Sequence, residues 1–197
     1  NIADVDIDIK LKTEDYDGVN ALYTGCQIGY LKNGNITSCN VSGTISIDIE
    51  SAGDGYSSLS GCYGGIVGEL RDGKSITDCQ FDGSISISAP GSQSSIDNGV
   101  GGIGGTIHAD GIKNLTNNGI IECTDGESHA SGIAAGLYTD YDPSGATVTG
   151  LFNNGNVSSA KGSTAGIAYW LSCGAIENCH NTGDIRHSGE RASSFGI

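Results

Sequence analysis

The feature that most constrains this chain is an internal repeat built around five glycines. These are Gly43, Gly83, Gly119, Gly155 and Gly183, separated by 40, 36, 36 and 28 residues. Around each of them the residue types agree at fixed offsets: Ile or Val stands seven positions before, Cys or Leu four before, and Ile or Val two after. A period in this range, with insertions of variable length, is typical of repeat architectures in which each unit packs on its neighbours.

Three sets of equivalent positions are expected to form interior columns. The columns are Ile36, Ile76, Ile112, Val148 and Ile176; then Cys39, Cys79, Leu115, Leu151 and Cys179; then Asn117, Asn153 and Asn181. The cysteines of such a column act as small hydrophobic residues. Since a buried amide without a partner costs about 1–3 kcal/mol, the three asparagines should hydrogen-bond to one another along the stack.

The apolar residues beside each repeat glycine recur at every second position, as in residues 44–49, and this period is typical of a strand with one buried face. The 33 glycines of the 197 residues also disfavour long helices. The sequence therefore predicts an all-β chain, a right-handed parallel β-helix (β-solenoid) of about five rungs. Residues 1–197 form one domain in this interpretation, with a capping strand or first rung in 1–19 and the repeats in 20–197.

A second glycine segment lies upstream of each repeat glycine. Its copies are Gly65-Ile66, Gly102-Ile103, Gly132-Ile133, Gly166-Ile167 and, less regularly, Gly25-Cys26. This alignment predicts that Cys26 shares a column with Ile66. A further copy begins at Gly196-Ile197, so we expect the natural chain to continue and the uncapped end to favour end-to-end self-association.

These segments resemble the GLUG-motif repeats of bacterial secreted and surface proteins. The closest copy joins residues 64–68 (Gly-Gly-Ile-Val-Gly) to residues 76–85, and residues 176–185 contain the Ile-x-x-Cys-x-Asn-x-Gly-x-Ile pattern. The resemblance covers residues 20–197. It implies a repeat scaffold in a secreted or cell-surface protein and does not by itself imply an activity.

Charge excludes some partners. Nine Lys and Arg against 23 Asp and Glu give a net charge of −14, a field that repels a phosphate backbone, so nucleic acid is not an expected partner. No apolar run approaches the roughly 20 residues of a membrane-spanning helix, so no membrane insertion is expected.

Two nucleotide-binding patterns occur in the chain and are attributed to the repeat. Residues 68–75 fit GxxxxGK[ST] and residues 99–104 fit GxGxxG. Both patterns need a strand before and a helix after the loop, and here each leads into the next strand of the repeat.

One insertion carries residues suited to a metal ion. The fourth repeat is longer than the others around residues 139–145, where Asp140, Asp142 and Ser144 precede a glycine in the order of a calcium loop. The alternative is an ordinary Asp/Pro/Gly turn. The prediction is thus calcium at these three residues or no cofactor at all.

The remaining candidate contacts are Tyr56 and Tyr63 in the long connections and the two carboxylates Asp78 and Asp82. The sequence favours a non-catalytic repeat module that acts in adhesion, ligand presentation or spacing, with a surface glycan or protein as partner. The alternative is a glycan-cleaving β-helix enzyme, a lyase or glycosidase, which would need two carboxylates converging in a groove. A plain structural stalk without a ligand is the third hypothesis.

Overall fold

The computed structural model describes residues 2–13, 20–51, 59–88, 98–126, 128–139, 146–189 and 193–196. None of these residues is helical, so none belongs to a helix that could cross a membrane. Every pairing between the described strands is parallel. The fold is a parallel β-solenoid of about four turns, in rough agreement with the predicted rung count. Its right-handed winding stays a prediction.

Successive rungs use the same order of strands. The first contains β2 (Asn20–Gly25), β3 (Ile28–Lys32), β4 (Asn35–Thr37) and β5 (Asn40–Ser51). The second contains β6 (Leu59–Gly64), β7 (Val67–Phe81) and β8 (Ser84–Ser88), and the third β9 (Asn98–Gly101), β10 (Gly104–Asn117) and β11 (Ile120–Asp125). The fourth contains β12 (His129–Ser131), β13 (Ala134–Tyr138), β14 (Thr147–Asn153) and β15 (Val157–Ser159). The fifth contains β16 (Thr164–Ala165), β17 (Ala168–Ser172), β18 (Ala175–Glu177), β19 (His180–Asn181) and β20 (Ile185–His187).

Two further strands lie outside these rungs. β1 (Ile2–Thr13) pairs with β5, and its side chains alternate as predicted: Val5, Ile7 and Ile9 are half-buried, whereas Asp6 and Asp8 are exposed. β1 therefore covers one strand of the first rung, as a capping strand should. At the other end β21 (Ser194–Phe195) pairs with β16 and begins another rung.

The predicted columns are confirmed for the inner rungs. Ile36, Ile76, Ile112 and Val148 are each at most 2% exposed, and Ile36 faces Ile76, which faces Ile112. Ile176 is only half-buried. Among the described residues, no strand stacks on the outer edge of β18 to cover it.

The asparagine column is also confirmed. Asn117 Nδ2 donates to Asn153 Oδ1 at 2.7 Å, and Asn153 Nδ2 donates to Asn181 Oδ1 at 2.6 Å. Each asparagine also bonds the repeat glycine two positions later; Asn117, for example, donates to the carbonyl of Gly119 and accepts from its amide. The side chain thus satisfies both the ladder and the turn that follows it.

The two glycine columns have a steric cause. A Cβ on Gly83, Gly155 or Gly183 would overlap the carbonyl oxygen of the repeat glycine in the preceding rung. A Cβ on Gly65, Gly102 or Gly132 would likewise meet the carbonyl oxygen of the glycine in the following rung. The repeat keeps glycine at these positions because neighbouring backbones approach too closely for a side chain.

A turn that the repeat alignment does not predict lies five residues before each repeat glycine. All five residues there have a left-handed backbone, with φ between 52° and 70°. They are Ser38, Asp78, Asn114, Gly150 and Asn178. Apart from serine these are the residue types that most readily adopt this conformation, so the column marks a turn and explains why Asp78 is not apolar.

The register of the first repeat differs from the prediction. Gly25 pairs with Gly64, so Cys26 lies opposite Gly65 and Gln27 opposite Ile66. The expected column of Cys26 with Ile66 is therefore wrong by one residue. The backbone pairing decides this register, because the first rung has no glycine pair that would fix the alignment in the sequence.

All seven cysteines are free thiols, and two of them are fully buried. Burial raises the pKa of Cys79 to about 11 and that of Cys123 to about 12. Because only the thiolate is nucleophilic, we expect iodoacetamide at pH 8 to label half-buried Cys39 well before Cys123 in the folded protein. Peptide mass spectrometry over a time course measures both rates, and equal rates in the native protein would contradict the assignment of Cys123 to the core.

Candidate functional site

A groove runs across the rungs where β2, β6, β9 and β12 meet the strands that follow them. Two adjoining cavities, of about 280 Å³ and 500 Å³, share Glu69, Arg71, Thr106 and Tyr138 and therefore form one surface. Five stacked rungs span roughly 19 Å at the usual strand spacing. This length is sufficient for an extended ligand.

Three rows of residues make the groove, each row running from rung to rung. The floor row is Tyr30, Glu69, Thr106, Gly136 and Trp170. The wall row is Tyr23, Cys62, Gly99 and His129. The rim row is Lys32, Arg71, His108, Tyr138 and Ser172, in which His108 lies at a register shift opposite Arg71.

The depth of the groove depends on small residues in its middle rungs. A Cβ on Gly105 would lie 2.7 Å from the carbonyl carbon of Cys62, and one on Gly68 would lie 2.7 Å from the amide nitrogen of Thr24. At Gly68 and Gly105 the two sheets therefore approach too closely for a side chain. Ala135 follows Gly105 in this column and Tyr169 follows Ala135, so the groove is filled only at its far end.

Aromatic side chains stand at both ends of the groove. Tyr23 packs on Tyr30 in the first rung, with ring centroids 5.3 Å apart. In the fourth and fifth rungs Tyr169 stacks on His129, with centroids 4.1 Å apart and an interplanar angle of 9°. Beside this stack, Trp170 is 57% exposed. Exposed rings of this kind offer flat apolar surface with a polar edge.

A buried carboxylate lies at the floor of the groove. The Glu69 side chain is 6% exposed and its Oε1 is 2.8 Å from Nε of Arg71, whose side chain is 55% exposed. Tyr23 interacts electrostatically with the same carboxylate. Burial, and then the charge of Glu69, raise the pKa of Tyr23, and the same carboxylate raises the pKa of Arg71. Tyr23 is therefore a neutral donor and Arg71 a permanent cation.

A contact between a carboxylate and an imidazole lies at the rim of the groove. Asp72 Oδ1 is 3.4 Å from His108 Nδ1, and the His108 ring meets the Tyr138 ring edge to face, with centroids 6.4 Å apart. Lys32 stands beside Arg71 and is exposed. Within the part of the chain that the structure describes, Lys32 forms no ion pair.

Most of the contact residues named from the sequence do not line this groove. Tyr63 lies in β6 and is fully buried, so the expectation that it is an exposed loop residue is wrong and it leaves the set of contact residues. Its ring fills the core where the sequence alone suggested a long loop, because residues 59–64 form a strand of the second rung.

Asp78 and Asp82 belong to exposed polar ladders. Asn114 Nδ2 donates to Asp78 Oδ1 at 2.8 Å, and Asn118 Nδ2 donates to Asp82 Oδ1 at 2.7 Å. Gln80 Nε2 bonds both oxygens of Asp82. These bonds explain the two carboxylates structurally, and ligand contact at either of them stays a prediction.

Four of the candidate residues lie outside the described residues: Tyr56, Asp140, Asp142 and Ser144. The calcium prediction therefore stays a prediction. Among the described residues, no group of three His, Cys, Asp or Glu side chains is placed to hold a metal ion. Thr139 and Ala146, on either side of the inserted segment, are joined by a hydrogen bond of 3.4 Å from the Thr139 hydroxyl.

The groove residues were missed because their positions do not repeat. The floor row carries a different residue type in every rung, so alignment of the repeats gives no signal there. One sequence signal for the groove is available. The start of β7 consists of small and apolar residues, and the charged Glu69 and Arg71 on either side of the core residue Leu70 interrupt it.

Comparison with known proteins gives no relative on which a function could be based. No family model, no curated protein and no solved structure matches this chain.

Proposed function

We propose that this chain is a non-catalytic repeat module of a bacterial secreted or cell-surface protein that binds a glycan in the groove. The carrying observation is the exposed Trp170 next to the Tyr169–His129 stack, at the end of a groove with a polar floor. A sugar ring has an apolar face of C–H groups and a rim of hydroxyls. Such a ring is complementary to a flat aromatic side chain flanked by hydrogen-bonding groups.

The setting of the proposal rests on the resemblance to GLUG-motif repeats. The rigidity of the scaffold agrees with adhesion or ligand presentation, since the groove residues are carried by paired strands and their spacing is fixed by the stacking. Glu69 is ion-paired with Arg71, and Asp72 contacts the His108 ring. In this proposal the two carboxylates position the polar groups of the groove.

One observation favours the second candidate, a glycan-cleaving enzyme. Glu69 and Asp72 line the same cavity, and such enzymes need a pair of carboxylates. The two candidates differ in a direct measurement, because a hydrolase or lyase shortens the chain it binds. Mass spectrometry of a bound oligosaccharide after prolonged incubation should show an unchanged chain if the module is non-catalytic.

Replacing Trp170 with alanine should weaken glycan binding roughly tenfold or more, the range of a contact residue that dominates an interface. The measurement is binding to an array of neutral and acidic bacterial and host oligosaccharides, followed by calorimetry on the strongest ligands. Ile120→Ala is the matched control, because Ile120 is 53% exposed but does not line the groove. Equal affinity of the Trp170→Ala variant and the parent protein would contradict the proposed site.

A further inference from the structure

Two cations of the rim row, Lys32 and Arg71, line the same cavity as the carboxylates Glu69 and Asp72. Lys32 and Arg71 are direct neighbours across β3 and β7, and both side chains are exposed. Neighbours in register on adjacent parallel strands lie roughly 5 Å apart, and like charges directly opposite one another are unfavourable. The chain has only nine Lys and Arg for 23 Asp and Glu, so this pair is not an average feature of its surface.

The acidic groups nearby are already engaged. Glu69 is almost buried and bonded to Arg71, and Asp72 pairs with His108 on the other side of the rim. The Lys32 ammonium has no ion-pair partner among the described residues, and more than half of the Arg71 side chain faces solvent. An anion that enters this part of the groove would therefore meet the Lys32 ammonium and the exposed part of the Arg71 guanidinium, while Arg71 keeps its bond to Glu69.

We infer that the groove selects oligosaccharides that carry acid groups, with an acid group bound between Lys32 and Arg71 and a sugar ring on Trp170. This inference rests on the proposed function and adds the class of glycan. The geometry supports one ligand reaching both places, because the rim and floor rows run side by side along one groove. A guanidinium and an ammonium side by side suit a carboxylate or sulfate oxygen pair.

The net charge of the chain further limits the class of glycan that the groove can bind. A net charge of −14 repels a dense polyanion at long range, whereas a single acid group close to the rim is attracted within the screening length of about 8 Å at physiological salt. The inferred ligand is thus an acidic sugar chain. The carboxylate and sulfate forms share this chemistry and are separated in the experiment.

The experiment compares ligands that differ only in charge. Oligosaccharides that carry a single uronic acid are tested against the same chains with that carboxyl group reduced to an alcohol, and oligosaccharides that carry a single sulfate ester are tested before and after desulfation. Calorimetry at low and high salt gives each affinity. We expect the acidic member of at least one pair to bind roughly tenfold more tightly at low salt and to lose that advantage at high salt. The pair that shows this effect identifies the acid group.

Two lysine variants test whether the rim row causes the preference for acidic ligands. Lys32→Gln should reduce the affinity for the acidic ligand roughly fivefold and leave the neutral ligand unchanged. Lys113→Gln, at an exposed lysine outside the groove, should change neither. Arg71 is left intact in this comparison, because its removal would leave Glu69 buried without its cation.

The outcomes separate the two proposals. Equal binding of charged and neutral partners, lost in Trp170→Ala, overturns the inference on acid groups and supports the glycan module. Binding to neither pair nor to any array glycan overturns both proposals, and so does binding that is confined to proteins. An acid preference that is unchanged in Lys32→Gln, or that Lys113→Gln reduces equally, overturns the placement at the rim.

Discussion

The Gly155→Ala variant should be destabilised by about 3 kcal/mol or more, which lowers the melting temperature by about 6–12 °C in a chain of this size. A Cβ at this position would overlap the carbonyl oxygen of Gly119 and lie 2.7 Å from its carbonyl carbon. Both groups are backbone in stacked rungs, so neither can move without breaking the pairing of β11 with β15. Thermal unfolding followed by circular dichroism measures the effect.

Gly111→Ala is the control for this prediction. Gly111 lies within β10, and the nearest atoms to its Cβ would be 3.5 Å away, which is ordinary contact. We expect this variant to be unchanged or more stable by about 0.4–1 kcal/mol, because alanine restricts the unfolded chain more than glycine does. If Gly155→Ala and Gly111→Ala unfold at the same temperature, the close approach of the repeat glycines is not what holds the rungs in register.

Replacing Asn153 with alanine should cost about 2–4 kcal/mol. The side chain accepts from Asn117, donates to Asn181 and donates to the carbonyl of Gly155, and its residue is fully buried. Its loss leaves several buried polar groups without a partner. Chemical denaturation gives the change in unfolding free energy.

The adjacent Asn154 gives a matched comparison. It also bridges two rungs, donating to Asn118 Oδ1 and accepting from the Thr182 hydroxyl, but it is exposed. Water can replace these bonds, so Asn154→Ala should cost less than about 1 kcal/mol. Comparable losses for Asn153 and Asn154 would show that burial does not set the strength of the ladder.

The asparagine column shows which positions can be predicted by aligning the repeats. Asn117, Asn153 and Asn181 are recognisable from the sequence because they share an offset with the core residues and face the same interior. Where the first two repeats have Val41 and Phe81 instead, the column is apolar, and both residues are buried. The inward positions could be predicted because each rung must match the one below it.

The first repeat and Tyr63 show where this reasoning fails. A one-residue slip placed Cys26 with Ile66, since no residue type in the first repeat distinguishes the two alignments and only the backbone pairing of Gly25 with Gly64 decides between them. The sequence predicts a loop at Tyr63 because its rung begins after a long insertion, and the structure places Tyr63 in β6. Burial of an aromatic ring depends on which strands cover it, and the sequence around Tyr63 does not show which strands these are.

The sequence by itself determined the solenoid, its columns and the alternation of its capping strand, because stacking identical rungs forces equivalent inward positions to be alike. Only the tertiary structure decided the groove. Tyr23, Glu69, Arg71, Tyr138 and Trp170 belong to four different rungs and face outward, where stacking imposes no likeness between neighbours. Their meeting is a consequence of the corner between the two sheets and of the pairing that brings distant rungs side by side.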